Sequence, residues 1–192
     1  MRLFVPSESA SLFNDLFQEG VLVNARIGVS IQSFLCDTLG LDPRYVEERI
    51  QTVFLNGKAV DDPASAVIPD HAVIALSAAM PGLLGATLRK GSFYAAMRSE
   101  ISHAWQAAVS PHEGKVLLKL FNLLPGEIGA FILEKGVWLK GDVLKRFFEK
   151  RLPRLSEGGV HAEKNDRSVD VELLARQEWP AGQEVFLRVL TE

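Results

Sequence analysis

Apolar and polar positions alternate most regularly between Ile50 and Leu83, where the chain runs IQTVFLNGKAVDDPASAVIPDHAVIALSAAMPGL. Val53 and Leu55 alternate with Thr52, Phe54 and Asn56, the period of a half-buried strand. Asn56-Gly57 supplies the two positive-φ positions of a type I′ hairpin turn, and Ala59-Val60 begin the return strand. Asp61, Asp62 and Pro63 break that ladder, and Pro69-Asp70 turn the chain again. The run Ala72 to Leu76 is then apolar enough for an interior strand.

Upstream, Arg2 to Val5 predicts a short strand stopped by Pro6. Leu12, Phe13, Leu16 and Phe17 have helical spacing that Gly20 can end, and Val21 to Val23 gives a second short strand. Ser30 is placed to cap a helix through Leu39 that buries Ile31, Phe34, Leu35 and Leu39, with Gly40 at its end.

Downstream, Pro81, Gly82, Gly85 and Gly91 mark PGLLGATLRKGS as a linker or β-bulge, and a domain boundary falls there. Arg89-Lys90 beside glycines suggests a phosphate loop, but the order Lys90-Gly91-Ser92 is not the Gly-Lys-Ser/Thr that such a loop needs. Tyr94 to Val109 allows a helix with Met97, Ile101 and Trp105 on one face, or a strand. Ser110-Pro111-His112-Glu113 has the form of a helix start, with Lys115, Lys119 and Asn122 as the polar stripe. A strand over Val116 to Leu123 competes with it, and Pro125-Gly126 ends either element. A helix over Glu127 to Lys135 closed by Gly136 follows. Another is capped by Asp142, turns Val143, Leu144, Phe147 and Phe148 inward, and is limited by Pro153. Val160, Ala162, Val169, Val171 and Leu173 alternate around the turn Glu163 to Ser168, and Trp179 to Gly182 turns into a last strand, Val185 to Leu190. No internal repeat shows in the sequence.

The segments VFLNGKAVDDP and VIPDHAVIALSAAMPG resemble the C-terminal half of the ubiquitin-like β-grasp sulfur carriers of the ThiS/MoaD type, with their N-G-K turn, D-G or D-H before the last strand, and Gly-Gly tail. The upstream order of strand, strand and helix agrees with that fold. The resemblance implies an α+β chain with an N-terminal β-grasp domain over residues 1–84, then a smaller-core α+β domain over 85–192. Between Pro6 and Gly20 a helix-like segment stands where the family has a tight hairpin. The carriers act through a C-terminal glycine carboxylate, which is adenylated and converted to a thiocarboxylate. Here Pro81-Gly82 replaces Gly-Gly and residues 83–192 follow, so the resemblance implies the fold without the carrier chemistry.

Composition narrows the functional classes. With 192 residues, 47% hydrophobic and 23% charged, the chain has the makings of an ordinary globular core. A formal charge of −3 speaks against nucleic acid as a partner of the whole protein. Lys140, Lys145, Arg146, Lys150, Arg151 and Arg154 do form a basic helix before a hairpin, the order of a winged helix. The start MRLFVPSESASLF lacks a basic segment followed by a long apolar run, and nothing approaches the ~20 apolar residues of a membrane span, which points to the cytoplasm and away from a membrane. The lone Cys36 excludes an internal disulfide and is expected to act as a small apolar side chain. His71, His103, His112 and His161 are scattered without metal-ligand spacing, and no Gly-x-Ser-x-Gly elbow occurs. Glu127, Glu134, Asp142 and Glu149 have the spacing of solvated helix faces. No cofactor or metal is expected, and the balance leans away from an enzyme.

The expectation is therefore a non-catalytic binding protein whose partner is another protein. By resemblance, its setting is sulfur transfer or molybdenum-cofactor biosynthesis. Met80, Pro81, Gly82 and Leu83 are the candidate partner-binding segment, with Phe54 and Ile74 as further surface or core positions. The rival is an enzyme or small-ligand protein that holds an anionic ligand at the domain junction through Arg89, Lys90 and Arg98. Two further alternatives are a winged-helix-like nucleic-acid binder and a carrier released by cleavage after Gly82.

Overall fold

The computed structural model describes residues 1–78, 82–90, 110–180 and 182–192. The N-terminal strand β1 (Arg2–Val5) leads through a 3-10 turn (Ser7–Phe13) into helix α1 (Asn14–Glu19). Strand β2 (Val21–Ile27) follows, then a helical run in which α2 (Ile31–Ser33) widens into a π-helical turn (Phe34–Thr38). Ser30 caps this run as expected, its hydroxyl accepting from the Ser33 amide at 3.1 Å. Helix α3 (Pro43–Glu48) was not foreseen, although Asp42 caps it through the Arg44 and Tyr45 amides and Pro43 opens it. Strands β3 (Thr52–Leu55) and β4 (Lys58–Ala59) form the hairpin on Asn56 and Gly57, both in the left-handed region at φ 51° and 79°. Strand β5 (Val73–Ser77) completes the group, with His71 in a turn at φ 57°.

Several expectations fail beyond this point, among them the Asp142 cap, since Asp142 lies inside its helix and Lys140 precedes it. The glycine-rich segment is helix α4 (Gly82–Leu88), not a linker or bulge. The Ser110 segment starts no helix: β6 (His112–Phe121) is a ten-residue strand, as the competing alternation allowed, with Val116, Leu118 and Leu120 fully buried. Pro153 does not limit its helix. After α5 (Leu124–Lys135) and β7 (Val137–Lys140), α6 spans Gly141–Glu157 with Pro153 inside it. The hairpin β8 (His161–Lys164) and β9 (Arg167–Val169) forms as expected, but its return stops at Asp170, which caps helix α7 (Val171–Arg176). Strand β10 (Glu184–Thr191) ends the chain's regular structure. The choice between helix and strand over Tyr94 to Val109 lies outside the described residues.

By contacts the chain divides into a split unit, Met1–Val21 with Pro125–Glu192, and a continuous unit, Leu22–Leu124. In the continuous unit the strand order is β2-β6-β5-β3-β4. Strands β5 and β6 run parallel, pairing Val73 with Leu117 through Ser77 with Phe121, so residues on both sides of position 84 share one sheet. The antiparallel β3 lies beyond β5, with Val53 opposite Leu76, and β4 closes that edge. In the split unit the order is β7-β10-β1-β8-β9. Here β1 and β10 are parallel, with Leu3 opposite Val189, while β7 and the β8–β9 hairpin flank them antiparallel. The partners of β1 are β10 and β8, so it makes no hairpin with β2.

Taken separately, the two units follow one plan. Each has a central parallel pair, a hairpin beyond one member, and beyond the other a strand that leads through a helix into that hairpin.

Candidate functional site

Within the split unit, α1 and α6 bound a cleft of about 480 Å³. Helix α6 buries Leu144, Phe147, Phe148 and Leu155 on one face. Phe147 packs on Phe13, ring centroids 5.2 Å apart, which sets α6 against the segment leading into α1. Leu16 and Phe147 form the apolar part of the lining and are almost fully buried. Around them stand Asp15 and Glu19 from α1 and Arg146, Glu149, Lys150 and Arg151 from α6.

The charges meet at two levels. At one, Asp15 accepts from Arg151 in a very close contact and faces the Lys150 ammonium at 3.5 Å. At the other, Arg146 lies 3.1 Å from Glu19 and 2.9 Å from Asp142. The Arg151 hydrogen bond holds the Asp15 carboxyl below its ordinary pKa, against an opposing effect of burial. Arg146 does the same for Asp142, and the two carboxylates raise the pKa of Arg146. The Nε–H of Arg151 is buried without an acceptor. With Lys145 3.6 Å from Glu178, four of the basic residues seen in the sequence, Lys145, Arg146, Lys150 and Arg151, stand in ion pairs within their own unit.

The other predicted positions lie only partly among the described residues. Lys90 reaches back to donate to the Val46 carbonyl at 2.8 Å, one of the last carbonyls of α3. Burial lowers its pKa, and Lys90 also lines a cleft of about 300 Å³ with Gln32, Pro43 and Glu47. Arg89 is exposed, and Arg98 lies outside the described residues, as do Met80 and Pro81. Gly82 opens α4 at φ 74° and is exposed, and Leu83 follows it in that helix. Ile74 is fully buried and Phe54 half-buried.

Cys36 is half-buried on the π-helical turn, and burial with Asp37 and Asp42 nearby pushes its thiol pKa up, away from nucleophilic character. A third cleft, about 330 Å³, places Arg26, Ser33, Asp37 and Glu113 together in the continuous unit. His112 sets Nδ1 3.0 Å from the Ser110 carbonyl oxygen and Nε2 2.8 Å from an Asp70 carboxylate oxygen, both acceptors, and His161 stacks on Phe4. Among the described residues no three His, Cys, Asp or Glu side chains gather in a metal-binding arrangement. No described helix is long and apolar enough to cross a membrane.

Asp15 and Glu19 were absent from the sequence reading. Their one signal is spacing: Asp15 and Glu19 are four residues apart, as are Arg146 and Lys150, so each pair shares a helix face. That these faces meet across more than a hundred residues of chain is a tertiary fact. Compared with known proteins, the chain matches no family model, no curated protein and no solved structure.

Proposed function

We propose that the chain is a non-catalytic binding protein whose continuous unit is a β-grasp-type module, and that its partner is another protein. In a β-grasp sheet the first and last strands lie centrally and parallel, the second strand flanks the first, and a helix leads from it into the remaining hairpin. The order β2-β6-β5-β3-β4, with β5 and β6 parallel, supports this reading if β6 takes the place of the first strand. The module is then a permuted one, entered at its second strand. A link to sulfur-transfer or molybdenum-cofactor partners rests on the resemblance of residues 53–82 alone.

The parallel β5–β6 pairing carries the non-carrier part of the proposal. Gly82 lies between those strands in sequence and opens α4. Cleavage after it would sever β6 from the chain and unseat the buried Val116, Leu118 and Leu120. A glycine carboxylate is thus available only at the cost of a central strand. The test is intact-mass analysis of the protein from its native host, coupled to calorimetry with any protein that co-purifies. Full-length chain with a saturable, stoichiometric partner is the expected result. A predominant fragment ending at Gly82, or one bearing a thiocarboxylate, would overturn it in favour of a released carrier.

A further inference from the structure

Lys90 differs from other lysines of the chain in what its amine meets. Lys145 and Lys150 face carboxylates at 3.6 and 3.5 Å, and Lys135 and Lys164 lie over the rings of Phe131 and Trp179. Those partners suit an ammonium. Lys90 Nζ instead donates to the Val46 carbonyl at 2.8 Å, while its backbone N–H donates to the Gln51 carbonyl at 2.9 Å. The side chain is thereby held along one wall of the cleft of about 300 Å³, whose apolar surface comes from Pro43, Val46 and Pro63. Burial lowers the pKa of the ammonium and outweighs Glu47, which raises it. A partly desolvated amine that lines a cleft is a nucleophile. One N–H is enough for the Val46 contact, and an ammonium, an amine and a secondary amide each have one.

We propose that Lys90 is a site of covalent acylation by small acyl thioesters, with the acyl chain lying in the cleft against Pro43, Val46 and Pro63. In the step the neutral amine attacks the thioester carbonyl carbon, a C–N bond forms and the C–S bond breaks. The nitrogen loses one proton and the departing thiolate gains one, so an amine and a thioester become an amide and a thiol. The amide nitrogen keeps the N–H that the Val46 carbonyl accepts, and the lost charge breaks no ion pair among the described residues. At about 30 Å³ per water the cleft has the volume of roughly ten waters, which is room for a short acyl chain. Every residue involved lies within Leu22–Leu124, and the chemistry does not depend on whether that unit binds a protein partner.

The test exposes the folded, full-length protein to the acetyl and butyryl thioesters of N-acetylcysteamine in mildly alkaline buffer and follows every lysine by peptide mass spectrometry. Lys90 is expected to react roughly tenfold or more faster than Lys58, which is exposed on β4. The ratio of the Lys90 rate to the Lys58 rate should rise about threefold or more from acetyl to butyryl, because the longer chain buries more apolar surface in the cleft. Protein acylated at Lys90 should keep its cooperative thermal transition, since the amide still donates to the Val46 carbonyl. A Lys90 rate no greater than that of Lys58, a ratio independent of chain length, or loss of the transition on acylation overturns the proposal.

Discussion

Gly136→Ala offers the most exacting test of the split unit. Gly136 joins α5 to β7 at φ 105°, a conformation that L side chains rarely adopt. A Cβ there would stand 2.2 Å from Cζ, 2.7 Å from Cε2 and 3.1 Å from Cε1 of Phe186. That ring has little room to yield, because it is tilted on Trp138 at a centroid distance of 5.0 Å across the β7–β10 pairing. Two costs follow. The backbone conformation costs about 1–3 kcal/mol for a non-glycine residue, and forcing a methyl into occupied space costs about 1–3 kcal/mol more. Gly182→Ala isolates the first, since Gly182 has φ 82° but nothing within 4 Å of its would-be Cβ.

Urea denaturation followed by near-ultraviolet circular dichroism, which senses the Trp138–Phe186 contact, measures both variants. With a slope of about 3 kcal/mol/M, Gly136→Ala should lower the midpoint about 0.3–1 M further than Gly182→Ala, at unchanged slope. In thermal melts the excess should be at least about 2–4 °C. Equal losses in the two variants would refute the steric argument and the packing of Phe186 on which it rests.

Other perturbations probe single interactions. Ser30→Ala removes the cap on the Ser33 amide and should cost about 1 kcal/mol in denaturant unfolding, with Ser30→Gly losing less. Lys90→Met keeps the aliphatic stem but leaves the Val46 carbonyl without its ammonium donor, and should lower the melting temperature measurably. Asp15 is held below its ordinary value of 3.8 by Arg151, so its contribution is complete above that pH and is lost as pH falls through the lower folded value. Asp15→Asn should therefore flatten the stability profile below about pH 3.8 and leave the slope above it unchanged. His112 is raised above 6.5 chiefly by the Ser110 carbonyl and then by Asp70, so its proton favours the fold at low pH and that contribution fades as pH rises through the folded value. In an NMR titration Asp70→Asn should lower the His112 midpoint only in part.

Local chemistry determined much of this protein. The Asn56-Gly57 hairpin, the Ser30 cap, the α5 stop at Gly136 and the β8–β9 turn all follow from residues within a few positions of each other, because caps and positive-φ turns are satisfied by their own neighbours. Where neighbours were ambiguous, burial decided. Ser110-Pro111 offers a good helix start, but Val116, Leu118 and Leu120 gain more by lying beside Val73–Ser77 in a parallel ladder. Pro153 lacks one amide donor, yet Leu155 beyond it is fully buried, and a helix so anchored continues through the defect. The shared plan of the two units is likewise silent in the sequence, since strand order is set by pairings between distant segments rather than by any residue's own preference. The cleft belongs to the same class. The sequence placed five basic residues on α6, and only the tertiary structure brought Asp15 and Glu19 against three of them, Arg146, Lys150 and Arg151, turning part of an apparent basic face into a paired one.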